Sequence, residues 1–309
     1  MATPFTMTPM GQSTGGWKTW STKKKLIVLA SALLVLILVL GLALGLGLKH
    51  DKDREPRETP PTPAKWQPAA GSTFQIVLLY QLDDTSTNAD IYDIDLFYNT
   101  KDIIAQLHND GRKVICYFSA GSYEDWRDDR TKFHKSDLGS NLAGWPGERW
   151  LDINSENVRR IMLSRLDAAR DKGCDGVDPD NVDGYDNHNG LSLTRADAAD
   201  YVNWLANETH ARDMSMGLKN AGDIIPYVMT NMQWSVNEQC EDYRECEIYA
   251  KFIEAGKPVF HIEYPKGNKV NDSLAVTNAQ KQSVCESDGA GGFSTVMKNM
   301  NLDDWIQTC

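Results

Sequence analysis

The first strong feature in the hydropathy of this chain is a block from Leu26 to Leu48 in which all 23 residues are apolar or small. As a helix it would extend about 35 Å, enough to cross a bilayer core. Residues 1–25 before it are polar, rich in Ser, Thr and Gly, and close on Lys23, Lys24 and Lys25, which predicts a disordered tail. A cleaved signal peptide has a shorter apolar core nearer the N-terminus, so an uncleaved anchor is expected. The lysine triplet beside it puts the tail in the cytoplasm. Residues 49–70 mix charges with Pro56, Pro60, Pro61, Pro63 and Pro68, the composition of an extended spacer. The expected plan is a tail (1–25), an anchor in the lipid bilayer (26–48), a linker (49–70) and an extracellular body (71–309). That is a single-pass type II plasma membrane protein.

Within the body the pattern alternates between short apolar runs and amphipathic stretches of helical period. Strand-like runs fall at Gln75–Leu79, Tyr92–Phe97, Lys113–Phe118, Arg149–Ile153, Cys174–Asp178, Ser215–Lys219, Gln233–Asn237 and Pro258–Ile262. Helical patterns fall at Lys101–Asn109, Glu156–Lys172, Thr194–Arg212 and Glu241–Ala255. Alternation of this kind implies parallel strands joined by crossover helices. The expected fold is α/β, a (β/α)8 TIM barrel, with an open doubly wound sheet as the alternative. All six cysteines (Cys116, Cys174, Cys240, Cys246, Cys285 and Cys309) follow the linker, as disulfides in an oxidising compartment require. Of fifteen possible pairings we expect Cys240 with Cys246, Cys285 with Cys309, and Cys116 with Cys174. Asn207 and Asn271 open glycosylation triplets.

In a parallel barrel the residues at strand C-termini face the active mouth. Here they are Asp95, Ser119, Asp152, Asp178, Asp180, Lys219, Asn220, Asn237, Glu238, Glu263 and Tyr264. The densest stretch lies at Gly173–Asn189, where Asp175, Asp178, Asp180, Asp183 and Asp186 crowd together just after Asp171. Asp, Asn and Gly clusters are often solvated turns, and an EF-hand loop is excluded by the register of the acids. The polar strand ends elsewhere in the chain favour a functional reading.

The first 66 residues hold nine Lys or Arg and four acids, which leaves 23 basic and 39 acidic residues in the remainder, a net charge of −16. Such a body repels nucleic acid and attracts cationic substrates. Tyr117, Tyr185, Tyr264, Trp126, Trp145, Trp150 and Trp234 lie near predicted strand ends, where aromatic rings can stack on sugars or ammonium groups. No G-x-S-x-G elbow, P-loop, G-x-G-x-x-G or H-E-x-x-H motif occurs. No Cys or His pair has zinc-ligand spacing, so neither metal nor cofactor is expected. Two acids facing each other across a barrel mouth suit glycoside hydrolysis, with an Asp after the fifth strand and Glu238 after the seventh as the candidate pair.

The motifs YDIDLF (92–97), GRKVICYFSAGSYEDWR (111–127), GWPGERWLDI (144–153), KGCDGVDPDNVDGY (172–185), GLKN (217–220), VNEQC (236–240) and GKPVFHIEY (256–264) together resemble glycoside hydrolase family 114, the endo-α-1,4-polygalactosaminidases. The resemblance covers residues 72–270. It implies a (β/α)8 fold and cleavage within chains of α-1,4-linked galactosamine, as in galactosaminogalactan. It is also similar to fungal members held at the membrane by one N-terminal span. The family's acidic pair matches Asp180 and Glu238, read as nucleophile or charge stabiliser and as general acid/base. Substrate contact or pKa tuning is expected of Asp95, Tyr117, Ser119, Asp152, Asp178, Lys219, Asn237, Glu263 and Tyr264. The expected partner is a cationic polysaccharide, met by a monomer. The competing reading is a non-catalytic cell-surface barrel that binds glycan.

Overall fold

The structure, a computed structural model, describes residue 64 and residues 66–267 and 274–309. The tail, the apolar run 26–48, most of the linker and Asn271 lie outside the described residues. No helix among the described residues is long and apolar enough to cross a membrane.

The chain begins with β1 (Phe74–Val77), β2 (Ile91–Asp95) and β3 (Lys113–Ser119). An excursion follows, made of β4 (Ser122–Glu124), β5 (Leu138–Asn141) and β6 (Glu148–Leu151). Next come β7 (Gly176–Asp180), β8 (Ser215–Lys219), β9 (Trp234–Glu238), β10 (Val259–Glu263), β11 (Ser294–Lys298) and β12 (Ile306–Thr308). Strands β1, β2, β3, β7, β8, β9, β10 and β11 are neighbours in that order, each pair parallel, and β12 adds antiparallel to β11. Across the seam, Ser294 Oγ donates to the Ser72 carbonyl (2.7 Å) and Lys298 Nζ to Gln75 Oε1 (2.8 Å). The result is a barrel-like α/β fold consistent with a TIM barrel.

Alternation along the strands divides the core in two. Phe74, Ile76, Ile91, Ile115, Trp234, Val236, Phe260 and Ile262 form the inner cluster. Val77, Tyr92, Ile94, Val114, Cys116, Phe118 and Val177 face outward onto helices, where Leu166, Val202, Leu205 and Phe252 meet them. The Trp234 indole fills the barrel floor because its neighbours have no side chains. A Cβ on Gly217 would lie 2.0 Å from Trp234 Nε1, and one on Gly176 would lie 2.5 Å from the same ring.

Two expectations are corrected. The run at Arg149–Ile153 is a strand, but it pairs antiparallel with β4 and β5 in a separate three-stranded sheet. The eighth barrel strand is β11, whose short STVMK sequence ends in a buried lysine and so hid its pattern. The helix expected at Glu241–Ala255 is broken into Cys240–Tyr243 and Cys246–Glu254, with Arg244 left-handed between them (φ 58°). The Cys240–Cys246 disulfide closes that bend, and Cys116–Cys174 and Cys285–Cys309 form as expected. Two of the other expected helices are capped by side chains: Ser155 Oγ accepts from Asn157 N, and Thr194 with Asp197 makes a capping box. Asn207 sits half-buried within the helix Arg195–His210.

Candidate active site

Adjacent strands β7, β8 and β9 end on Asp180, Lys219 and Glu238. Lys219 is 2% exposed. Its ammonium lies 3.5 Å from Asp180 Oδ2, 3.2 Å from Glu238 Oε2 and 3.9 Å from Asp178 Oδ2. The two acids are therefore on one face of the barrel, and their nearest named oxygens cannot be further apart than the first two distances combined.

Tyr117 OH donates to Asp180 Oδ2 (2.9 Å), and the Asn181 amide donates to Asp180 Oδ1 (2.8 Å). Glu238 Oε1 accepts from Tyr264 OH, and Oε2 accepts from Asn220 Nδ2 at 3.2 Å. Each of these strands hands over to a left-handed residue: Asn181 (φ 61°), Asn220 and Ala221 (φ 47° and 54°) and Gln239 (φ 64°). Asn tolerates that region better than most residues, and such strain gathers at functional sites. Gly121 lets the Asn181 turn form, since a Cβ there would fall 1.7 Å from the Asn181 carbonyl oxygen.

Burial alone would push the Lys219 ammonium down. Asp180, Glu238, Asp178 and Asp93 around it instead hold it well above the usual lysine range. Burial pushes Glu238 up, but Lys219, Tyr264 and Asn220 together bring it below the usual carboxylate range. Tyr117 and Tyr264 stay phenolic, raised first by burial and then chiefly by Asp180 and Glu238 respectively. Beneath this layer, Asp178 is pushed up to about 7 by burial, Lys219 pulling against it. Neither of its oxygens accepts from an ordinary donor. Asp93 is buried beside it and is also held well above the usual carboxylate range, by burial and then by Asp178. A proton kept on Asp93 is the donor available to Asp178.

Two cavities open on this constellation. One of about 410 Å³ is lined by Asp95, Tyr98, Tyr117, Trp126, Trp145, Glu148, Asp180, Lys219 and Glu238, among others. The other, about 590 Å³, is lined by Asp183, Tyr185, Asp223, Glu238, Tyr243, Glu245 and Tyr264, with Trp145 shared. The two cavities share Glu238, Asn220, Asp183 and Trp145, so they meet beside the acidic pair.

Of the residues expected in the site, Asp95, Tyr117, Asp180, Lys219, Glu238 and Tyr264 line these cavities. Asp95 is engaged by Arg127, at 3.1 and 2.7 Å. Ser119, Asp178, Asn237 and Glu263 are buried behind the surface. Ser119 Oγ accepts from Asn181 Nδ2 at 3.0 Å, Asn237 Oδ1 accepts the Cys240 amide at 3.1 Å, and Glu263 takes His261 Nε2 at 2.8 Å. Asp152 is corrected. Because β6 belongs to the outer sheet, its carboxylate caps a turn by accepting the Asn154 amide (3.0 Å), away from both cavities. Trp126, Trp145 and Tyr185 line the cleft, while Trp150 and Trp234 are core. Cys240, Cys246 and His261 bring ligand-type atoms within 4.8 Å of one another, but both sulfurs are tied in a disulfide.

Asp93 and Glu148 were missed. YDIDLF does carry a signal for the first, since Asp93 and Asp95 share the inward face at period two. Glu148 has none, because its place in the cleft comes from the excursion after β3.

A profile of the glycoside-hydrolase family GH114 matches residues 56–309. The chain belongs to family GH114. Its membership makes it a glycosidase, and solved structures agree in fold. The crystal structure of Aspergillus fumigatus Ega3 in complex with galactosamine is 66% identical, covers 81% of this chain and 100% of that one, and superposes with a TM-score of 0.80. The glycoside hydrolase domain of PelA from Pseudomonas aeruginosa shares the fold at 12% identity, over 76% of this chain and 98% of that one, with a TM-score of 0.59. An uncharacterized protein of Deinococcus radiodurans is 28% identical over 216 residues, 63% of this chain and 67% of the relative.

Proposed function

We propose that this GH114 protein cleaves internal α-1,4 linkages of galactosamine in a cationic exopolysaccharide of the galactosaminogalactan type, with Asp180 and Glu238 as the working pair. One observation carries the reading: a single buried ammonium bridges two carboxylates where two cavities adjoin. Two adjoining cavities offer room for more than one sugar unit beside the pair, which suits cutting inside a chain. Its acidic lining suits a sugar whose free amine is protonated, and the 66% identical Ega3 was crystallised with galactosamine.

Retaining glycosidases keep their carboxyl groups about 5–5.5 Å apart and inverting ones about 6.5–9.5 Å. Lys219 touches one oxygen of each acid, which holds the pair close enough for the retaining scheme. In that scheme Asp180 attacks the anomeric carbon, and Glu238 protonates the departing oxygen and then takes a proton from water. Glu238 rests as a carboxylate, which is ready for the base half. The acid half draws on the minority form with the proton on Glu238, so turnover favours acidic pH.

The test is release of reducing ends from a defined deacetylated oligomer by Asp180→Asn and Glu238→Gln, with binding measured alongside. Loss of release with binding kept supports the reading. Release by both variants removes the site assignment, and a wild-type protein that binds without releasing makes it a lectin.

A further inference from the structure

Glu148, at the start of β6, reaches the cleft from outside the barrel. Its side chain is 8% exposed and lines the smaller cavity together with Asp180, Trp126 and Trp145. Oε2 accepts from Ser122 Oγ at 2.6 Å, and Ser122 Oγ is held in turn by Ser119 Oγ at 2.6 Å. Oε1 accepts no hydrogen bond from the described residues. That oxygen is left free to take a donor from whatever occupies the cavity that Glu148 lines. The nearby cation acts on Glu148 only through space, and more weakly than burial, Ser122, Glu124 or Asp180, because the hydrogen bonds of the Arg127 guanidinium go to Asp95 and Glu124.

We propose that Glu148 is a specificity residue that receives the ammonium of a galactosamine unit seated beside the scissile linkage, on the Trp126–Trp145 side of Asp180. This rests on the substrate reading above and deepens it. An ammonium brings the charge and the N–H that Oε1 lacks. A hydroxyl brings only a neutral donor, and an acetamido group is uncharged and bulkier. The same groups set a pH dependence. Glu148 faces Glu124 on β4, Arg127 just after it, and Tyr117 and Asp180 on β3 and β7. Burial, ahead of repulsion from Glu124 and Asp180 and against the Ser122 bond, pushes it up to about 7. Galactosamine affinity should therefore strengthen as pH rises toward neutrality, where Glu148 ionises, and weaken again where the sugar amine loses its proton.

The experiment compares the wild type with Glu148→Gln, which keeps shape and the Ser122 contact, on a deacetylated oligomer between about pH 6 and 8. Loss of a charge-assisted bond predicts a KM raised about tenfold or more near neutrality, a kcat within about threefold, and a KM that lacks the wild type's fall as pH approaches neutrality. Glu148→Asp, which restores the charge, should recover part of the affinity. A purely structural role would lower kcat or the melting temperature and leave the pH slope of KM intact. That result overturns the inference, as does an unchanged KM with an unchanged slope, and in both cases the glycosidase reading stands. A wild type that releases no reducing ends defeats the substrate reading instead, and the inference with it.

Discussion

Replacing Lys219 by Met keeps much of the side-chain length and removes the charge at the centre of the site. Three carboxylates lose their shared cation, Glu238 at 3.2 Å, Asp180 at 3.5 Å and Asp178 at 3.9 Å, on a side chain 2% exposed. Removing one partner of a buried ion pair costs about 3–5 kcal/mol, because the remaining charge is left uncompensated. For a domain of this size that lowers the melting temperature by roughly 6–20 °C. The loss has a pH signature. With Lys219 present, Glu238 is held below its unfolded value, so it contributes stability above the unfolded pKa and loses it as pH falls through the folded one. Without Lys219, burial dominates and pushes Glu238 up, so the variant's penalty grows as pH rises above the usual carboxylate range and fades where the acids protonate. Urea unfolding at about pH 4.5 and pH 7.5, with disulfides intact, measures both numbers, and hydrolysis of a deacetylated oligomer reads the site. A deficit that is equal at the two pH values, or absent at the higher one, would refute the idea that this lysine neutralises the mouth.

Gly217→Ala should destabilise the fold by about 1–3 kcal/mol, because the new methyl collides with the Trp234 indole on the barrel floor. Part of this loss should return in the Gly217→Ala, Trp234→Phe double variant, and strict additivity in a denaturation cycle would count against the collision. Hydrolysis of deacetylated polymer should slow as ionic strength rises from about 0.05 to 0.5 M. Equal rates on deacetylated and fully acetylated polymer would remove electrostatic selection from the account. Because Glu238 rests ionised, kcat should fall from acidic to neutral pH, and a profile rising toward neutrality would assign the acid role to another group.

Much of the barrel could be read from period-two patterns, which fix the inward face at Asp178 and Asp180, at Lys219 and at Glu238 as soon as the strands are placed. Periodicity does not say which sheet a strand joins. That is why Glu148–Leu151, a well-patterned strand, stood in for β11, and why Asp152 looked like a residue of the mouth. The ends of β7, β9 and β10 moved one or two residues along, enough to put Asp178 inside the barrel and leave Asp180 at the rim. The pairing of buried Asp93 with Asp178 and the arrival of Glu148 both depend on contacts between segments far apart in sequence, which local pattern does not encode. Asn237 and Glu263 were legible as polar groups at strand ends, but their role in bracing the Cys240 turn was not, since it needs His261 and Glu241 brought alongside.

The order acid, lysine, acid at the mouth follows from strand adjacency: β7, β8 and β9 are consecutive in sequence and neighbours in the sheet, so Lys219 falls between Asp180 and Glu238. Each strand then leaves through a left-handed residue, which turns the chain away directly after the charged side chain. The spacing of the working pair is thereby tied to the sheet ladder, whereas the cleft walls come from connections, Glu148 and Trp145 from the excursion after β3 and Tyr185 and Tyr243 from the turns after β7 and β9. Changes in the connections can retune which sugar is recognised while the distance between the acids holds. Substitutions at Glu148 should accordingly move KM, and substitutions at Lys219 should move kcat and stability together.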